Sequence, residues 1–213
     1  MIQLLFQGQV TLFLLIVIAI IISLSFHEFG HAATAKLYGD DTAEKMGRLT
    51  LNPLVHIDPV GLLMVVLIGF GFAKPVQTNP SKFNSIWADL FVSAAGPGMN
   101  LVLAVLSVNF YLFGINQGWG FLQSESASFF FIYLALINLL LMIFNLLPIG
   151  PLDGHYILPY FLPKKMARTY REYNYRYGSY ALLGLVALSL MGVPIFSYVM
   201  SFGESILPYI SFL

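Results

Sequence analysis

SLSFHEFGHAATA, Ser23 to Ala35, closes an apolar run that begins at Leu12. No charged residue precedes Glu28, and a segment of that length reads as a membrane-spanning helix. Yet it ends in His27, Glu28 and His31. Ionisable groups within a membrane segment cost at least about 2.5 kcal/mol each and are kept for a function. One reading is a helix end that simply meets water at the interface. Phe26, Phe29, Ala32 and Ala33 keep the segment apolar as far as Lys36, which favours a buried, reactive cluster instead.

Composition agrees with the membrane reading. Of 213 residues, 58% are hydrophobic and 9% charged, whereas ordinary soluble domains carry roughly 25% charged residues. A soluble chain of this make-up would lack the polar surface to cover itself. The net charge of zero gives no basic face for nucleic acid. The absence of cysteine excludes disulfides and thiolate metal ligands. No leader-and-cleavage pattern precedes the first apolar segment, so that segment is expected to remain in the protein.

Spans are expected at residues 8 to 35, 88 to 113, 127 to 147 and 178 to 201, the last kinked at Pro194. Gly61 to Ala73 (GLLMVVLIGFGFA) is apolar but only 13 residues long. It suits a short re-entrant segment, or a membrane-associated β-hairpin, within about 50 to 75. Lys36, Lys45, Arg48, Lys74 and Lys82 flank that region, and Lys164, Lys165, Arg168, Arg171 and Arg176 lie between the third and fourth spans. If 61 to 73 does not cross, all ten basic residues fall on one face, which the positive-inside rule assigns to the cytoplasm. Both termini then lie outside. The tyrosines among the basic residues of 164 to 177 read as an interfacial anchor. The expectation is an all-α integral membrane protein, one membrane-embedded domain over residues 1–213.

His-Glu-x-x-His on a helix puts two imidazoles one turn apart on one face, with the glutamate beside them. A catalytic zinc takes three protein ligands and leaves a position for water. It lowers that water's pKa to about 7, and a glutamate can take the proton. The third ligand has four candidates: His56, Asp58, Asp153 and His155. Two of them lie in NLLPIGPLDGHYIL, Asn145 to Leu158. His27 stands nine residues from Lys36, about 13 Å along a helix, and Asp153 eleven residues from Lys164, at most about 16 Å. Those depths are similar, and a carboxylate would complete a His2Asp set. Asp153 also reads as a turn residue in its Pro-Leu-Asp-Gly break, and His155 suits a supporting role better than ligation. Pro148 and Pro151 would interrupt the third span, which is tolerated around a protein-lined cavity. Asn145 can stabilise an oxyanion or hold a substrate backbone, or bond to another helix.

Together these segments resemble the site-2 protease family of intramembrane zinc metalloproteases. FHEFGHA fits its His-Glu-x-x-His segment and LLPIGPLDGHYI its Leu-Asp-Gly segment, with NPLVHIDPVG (from Asn52) and SAAGPGMNLVLA (from Ser93) between them. The resemblance implies one Zn2+ per chain, bound by His27, His31 and Asp153, with Glu28 activating water. It implies strands near the site at 50 to 75, substrate contact by Asn145, and a structural or substrate-facing His56. Asn100 would support helix packing close to Asp153. With neither a PDZ nor a CBS domain, the chain looks like a minimal form. The implied activity is hydrolysis of peptide bonds within single-span membrane protein substrates. It would run in the lipid bilayer of a prokaryotic cell, the site nearer the cytoplasmic face. A non-catalytic zinc-binding membrane scaffold is the alternative. A zinc transporter would need a polar path across the outer halves of the spans, which hold no ionisable residue.

Overall fold

Three long helices form the bundle that carries the site. The computed structural model describes residues 1–212. Helix α1 is Val10–Leu37, α2 Pro59–Ile68, α3 Ala88–Asn116, α4 Glu125–Asn145, α5 Lys164–Leu190 and α6 Ile195–Ile210. Helices α1, α3 and α4 are each long and apolar enough to cross a membrane, where every backbone polar group must be bonded within its own segment. This is an all-helical, multi-pass membrane protein.

The core of the bundle mixes small and large side chains. Ala19, Leu103, Leu134 and Ile137 pack where α1, α3 and α4 meet. Ala104, Val108, Ala135 and Leu139 form a second cluster, against which Ile206, Leu207 and Ile210 of α6 lie. The alanines let helix backbones approach closely, the usual basis of helix association in lipid. On α3, Val102, Leu106, Phe110 and Phe113 are exposed. Their spacing of three and four residues makes one stripe, and such a stripe suits contact with lipid chains.

Two sequence expectations need correction. The first is the strand option at 50 to 75. Asp58 caps α2, its carboxylate accepting from Val60 N and Gly61 N at 2.9 Å each, and Pro59 occupies the first turn. Those are helix-start signals, and they turn Pro59–Ile68 into a helix rather than a strand. At ten residues, or about 15 Å, α2 is too short to span the hydrocarbon. The chain then folds back, and a single antiparallel bridge joins Ala73 to Ile57. That bridge is all the strand pairing among the described residues.

The second concerns 178 to 201, where the bend expected at Pro194 is present but takes the form of a break between two helices. Gly192 takes a positive φ of 100° and Pro194 cannot donate to a continuing helix. The chain therefore breaks after Leu190, and α5 and α6 meet at 91°. It is α6 that lines the bundle. Phe196 meets Phe144 and Phe70 with ring centroids at 5.5 and 5.8 Å. At the other end, Asn109 Nδ2 donates to Ile210 O (2.7 Å) while Phe212 N donates to Asn109 Oδ1 (2.8 Å). So α6 runs antiparallel to α4, from the level of Phe144 to that of Asn109.

Candidate metal centre

The His-Glu-x-x-His face of α1 packs closely on α3. Gly96 makes this possible: a Cβ there would lie 2.3 Å from His31 Nε2 and 2.7 Å from His27 Cε1. Both imidazoles are held through Nδ1. His27 Nδ1 donates to Asn100 Oδ1 and His31 Nδ1 to Val92 O, each at 2.7 Å. Val92 O can only accept, so the proton of His31 sits on Nδ1. Pro97 within α3 withholds the N–H that would bond the Ser93 carbonyl and so loosens the same turn.

Asp153 arrives from the break after α4. The Pro148–Pro151 turn is clamped by the polar half of α5. Tyr170 Oη and Asn174 Nδ2 donate to Pro148 O at 2.8 and 3.1 Å, and Gly150 N donates to Asn174 Oδ1 at 2.7 Å. Gly154 follows because the returning chain presses on α4: a Cβ there would lie 2.2 Å from Leu146 O. The result sets Asp153 Oδ2 3.3 Å from His27 Nε2 and Oδ1 3.4 Å from His31 Nε2. The two Nε2 atoms are 3.0 Å apart.

This trio tests well for a metal. With both Nδ1 atoms protonated, each Nε2 presents a lone pair, and the carboxylate adds more. Asp153 Oδ2 is buried and has no hydrogen-bond partner. Three acceptors facing one another repel unless a cation joins them. Their ligand atoms lie within 4.8 Å of one another, and separations near 3.3 Å suit a tetrahedral ion with bonds of about 2.0–2.1 Å.

Glu28 follows His27 on α1 and is 8% exposed. Its Oε2 accepts from Val76 N at 2.8 Å. The segment around Val76 is held by Arg48, itself buried, whose guanidinium donates to Val55 O, Lys74 O and Pro75 O. Lys74 N donates to His56 O at 2.8 Å. Further along, Asn79 N donates to the fully buried Asp40 at 2.6 Å.

The remaining candidates stand apart from the trio. His56 is 1% exposed, and its Nε2 donates to Thr50 O at 2.7 Å within the loop that Arg48 organises. Asp58 is committed to capping α2. His155 packs its ring on Tyr156 and Tyr170. Asn145 Nδ2 donates to Leu141 O of its own helix at 2.9 Å. Asn100, read from the resemblance as a packing residue near Asp153, bonds to Ser23 O of α1 and Asn138 of α4 and also holds His27. Sequence reasoning missed Asn138, Ser23, Gly96 and Arg48. Ser23 was findable, since it precedes His27 by four residues and shares its face. Asn138 is a lone amide inside an apolar run, which is itself a signal.

A His-Glu-x-x-His face on a helix is the arrangement by which metallopeptidases hold zinc, and here a carboxylate stands beside it. The family described as peptidase family M50 matches residues 15–120 and 112–188. "Putative zinc metalloprotease YwhC" of Bacillus subtilis is 38% identical over 192 residues, covering 87% of this chain and 83% of that protein. "Putative zinc metalloprotease Rip2" of Mycolicibacterium smegmatis is 37% identical over 155 residues, 70% of this chain and 57% of its own length. Its namesake in Mycobacterium tuberculosis is 32% identical over 158 residues, 71% and 59% respectively. The chain thus spans less than two thirds of either Rip2 protein. No solved structure matches it significantly. On this evidence the chain belongs to peptidase family M50.

Proposed function

We propose that this protein is an intramembrane zinc metalloprotease that hydrolyses peptide bonds within the membrane-spanning segments of single-span proteins. The observation that carries the reading is the convergence of His27 Nε2, His31 Nε2 and Asp153 at 3.0–3.4 Å inside a helical membrane bundle. Those three residues hold one Zn2+ per chain, which, when bound, supplies Lewis-acid polarisation of the scissile carbonyl and acidifies a water. Asn100 and the Val92 carbonyl fix both rings so that each offers Nε2. Glu28 is the general base. Its Oε2 is occupied by the Val76 amide, so Oε1 takes the proton from water and passes it to the departing nitrogen. Asn145, half-buried beside the helix break, has its Oδ1 to offer a substrate backbone, and His56 shapes the facing loop. A helical substrate hides its peptide groups in its own hydrogen bonds, so it unwinds locally before cleavage.

The reading further places the site nearer the cytoplasmic face of a prokaryotic membrane, beneath the basic residues. Its test uses the reconstituted protein and a model single-span substrate. Wild type is expected to cleave, and Glu28→Gln to retain zinc while losing cleavage. A scaffold that merely binds zinc would show neither cleavage nor any consequence of Glu28→Gln.

A further inference from the structure

The amide of Asn100 can face His27 in either of two ways. With Oδ1 toward Nδ1, as found, the ring keeps its lone pair on Nε2. With the NH2 group turned there, the ring proton would move to Nε2 and close that atom to a cation. Something must therefore decide the flip. Asn100 Nδ2 donates to Ser23 O at a long 3.2 Å and to Asn138 Oδ1 at 2.7 Å. Asn138 is fixed in its turn, because its Nδ2 donates to Leu134 O at 2.7 Å and to Ser23 Oγ at 2.8 Å. Leu134 O cannot donate. Ser23 Oγ gives its own proton to Ala19 O at 2.7 Å, so toward Asn138 it acts as an acceptor. The order of donors is thus anchored on backbone carbonyls of α1 and α4, which have no alternative orientation. Asn100, Asn138 and Ser23 are all 0% exposed, so no bulk water reaches them to reassign the bonds.

We propose that Asn138 is a positioning residue of the metal centre: it sets the orientation of the Asn100 amide, and through it the ring tautomer that leaves His27 Nε2 open to zinc. The inference rests on the zinc reading above. Residues that orient a metal-bound histidine are worth about 10–100-fold in affinity, and that is the size expected here, two residues removed from the ion.

The test measures zinc affinity of the whole protein in detergent, by competition with a chromophoric chelator. It is paired with 15N shifts of the His27 ring in zinc-free samples. Wild type should bind one zinc, and His27→Ala none. Asn138→Leu should bind about 10–100-fold more weakly and show mixed ring tautomers in the zinc-free sample. Should the leucine variant fail to fold, Asn138→Ala carries the same expectation. Unchanged affinity and tautomer in the folded leucine or alanine variant would overturn the proposal. So would a loss of affinity with the His27 ring tautomer unchanged, since that reports packing alone. A wild type that binds no zinc overturns the metal reading, and this inference with it.

Discussion

Gly96 is where the smallest possible change has the largest reach. A methyl group there would enter the space between the two imidazoles, and overpacking of this kind costs about 1–3 kcal/mol. Gly96→Ala is therefore expected to lower zinc affinity about tenfold or more, read by the same chelator competition. Outside the bundle, Asp40 makes a different kind of tie. Burial alone would raise its pKa. The bonds it accepts from Thr42 and Asn79, with Lys82 nearby, outweigh that and hold it below the usual carboxylate value. A depressed folded value means the stabilisation is present above the unfolded pKa of about 3.9 and is lost as pH falls through the lower folded value. Melting temperature against pH should thus show an acid decline below about pH 4 that is smaller in Asp40→Asn than in wild type. At this scale His27, Glu28, His31 and Asp153 were legible because charged groups stand out against an apolar run. Gly96 was not, because the reason for a missing side chain lies on another helix.

Elements place these residues, and the short ones matter most. The return segment after α2 reaches Glu28 only because Arg48 gathers the carbonyls of Val55, Lys74 and Pro75. Each carbonyl left without a donor costs about 1–3 kcal/mol. Arg48→Ala should speed hydrogen exchange over residues 73–79 and reduce cleavage, with zinc content unchanged. Arg48→Lys should restore only part of this, because a point charge cannot serve several carbonyls as a planar fork does. The long spans were readable from length and apolar content to within a few residues of Ala88–Asn116 and Glu125–Asn145. The region 50 to 75 was harder. Its valines, phenylalanines and glycines suit strand or helix, and the Asp58–Pro59 start decided the matter. The polar half of α5 reads in sequence as an anchor for the interface, yet Tyr170 and Asn174 spend their hydrogen bonds on the turn that carries Asp153. Those bonds cross more than twenty residues of chain, and nothing local announces them.

At the scale of the whole molecule, the right-angled break between α5 and α6 bears on topology. The proposed arrangement keeps all ten basic residues on one side of the membrane. The chain has no native cysteine, so single cysteines at Lys45, Arg168 and Gln117 can be labelled in vesicles. The first two are expected to react from the same side and Gln117 from the opposite one. Reaction of Lys45→Cys and Arg168→Cys from different sides would mean that residues 59 to 73 cross the membrane once instead of folding back. The central claim is more local: side chains from α1 and from the break after α4 share one ion. X-ray absorption at the zinc edge, on the loaded wild type and on Asp153→Ala, tests it most directly. The account predicts two imidazoles and a carboxylate around a single zinc, with the carboxylate contribution gone from the variant. A zinc spectrum that Asp153→Ala leaves unchanged would contradict it.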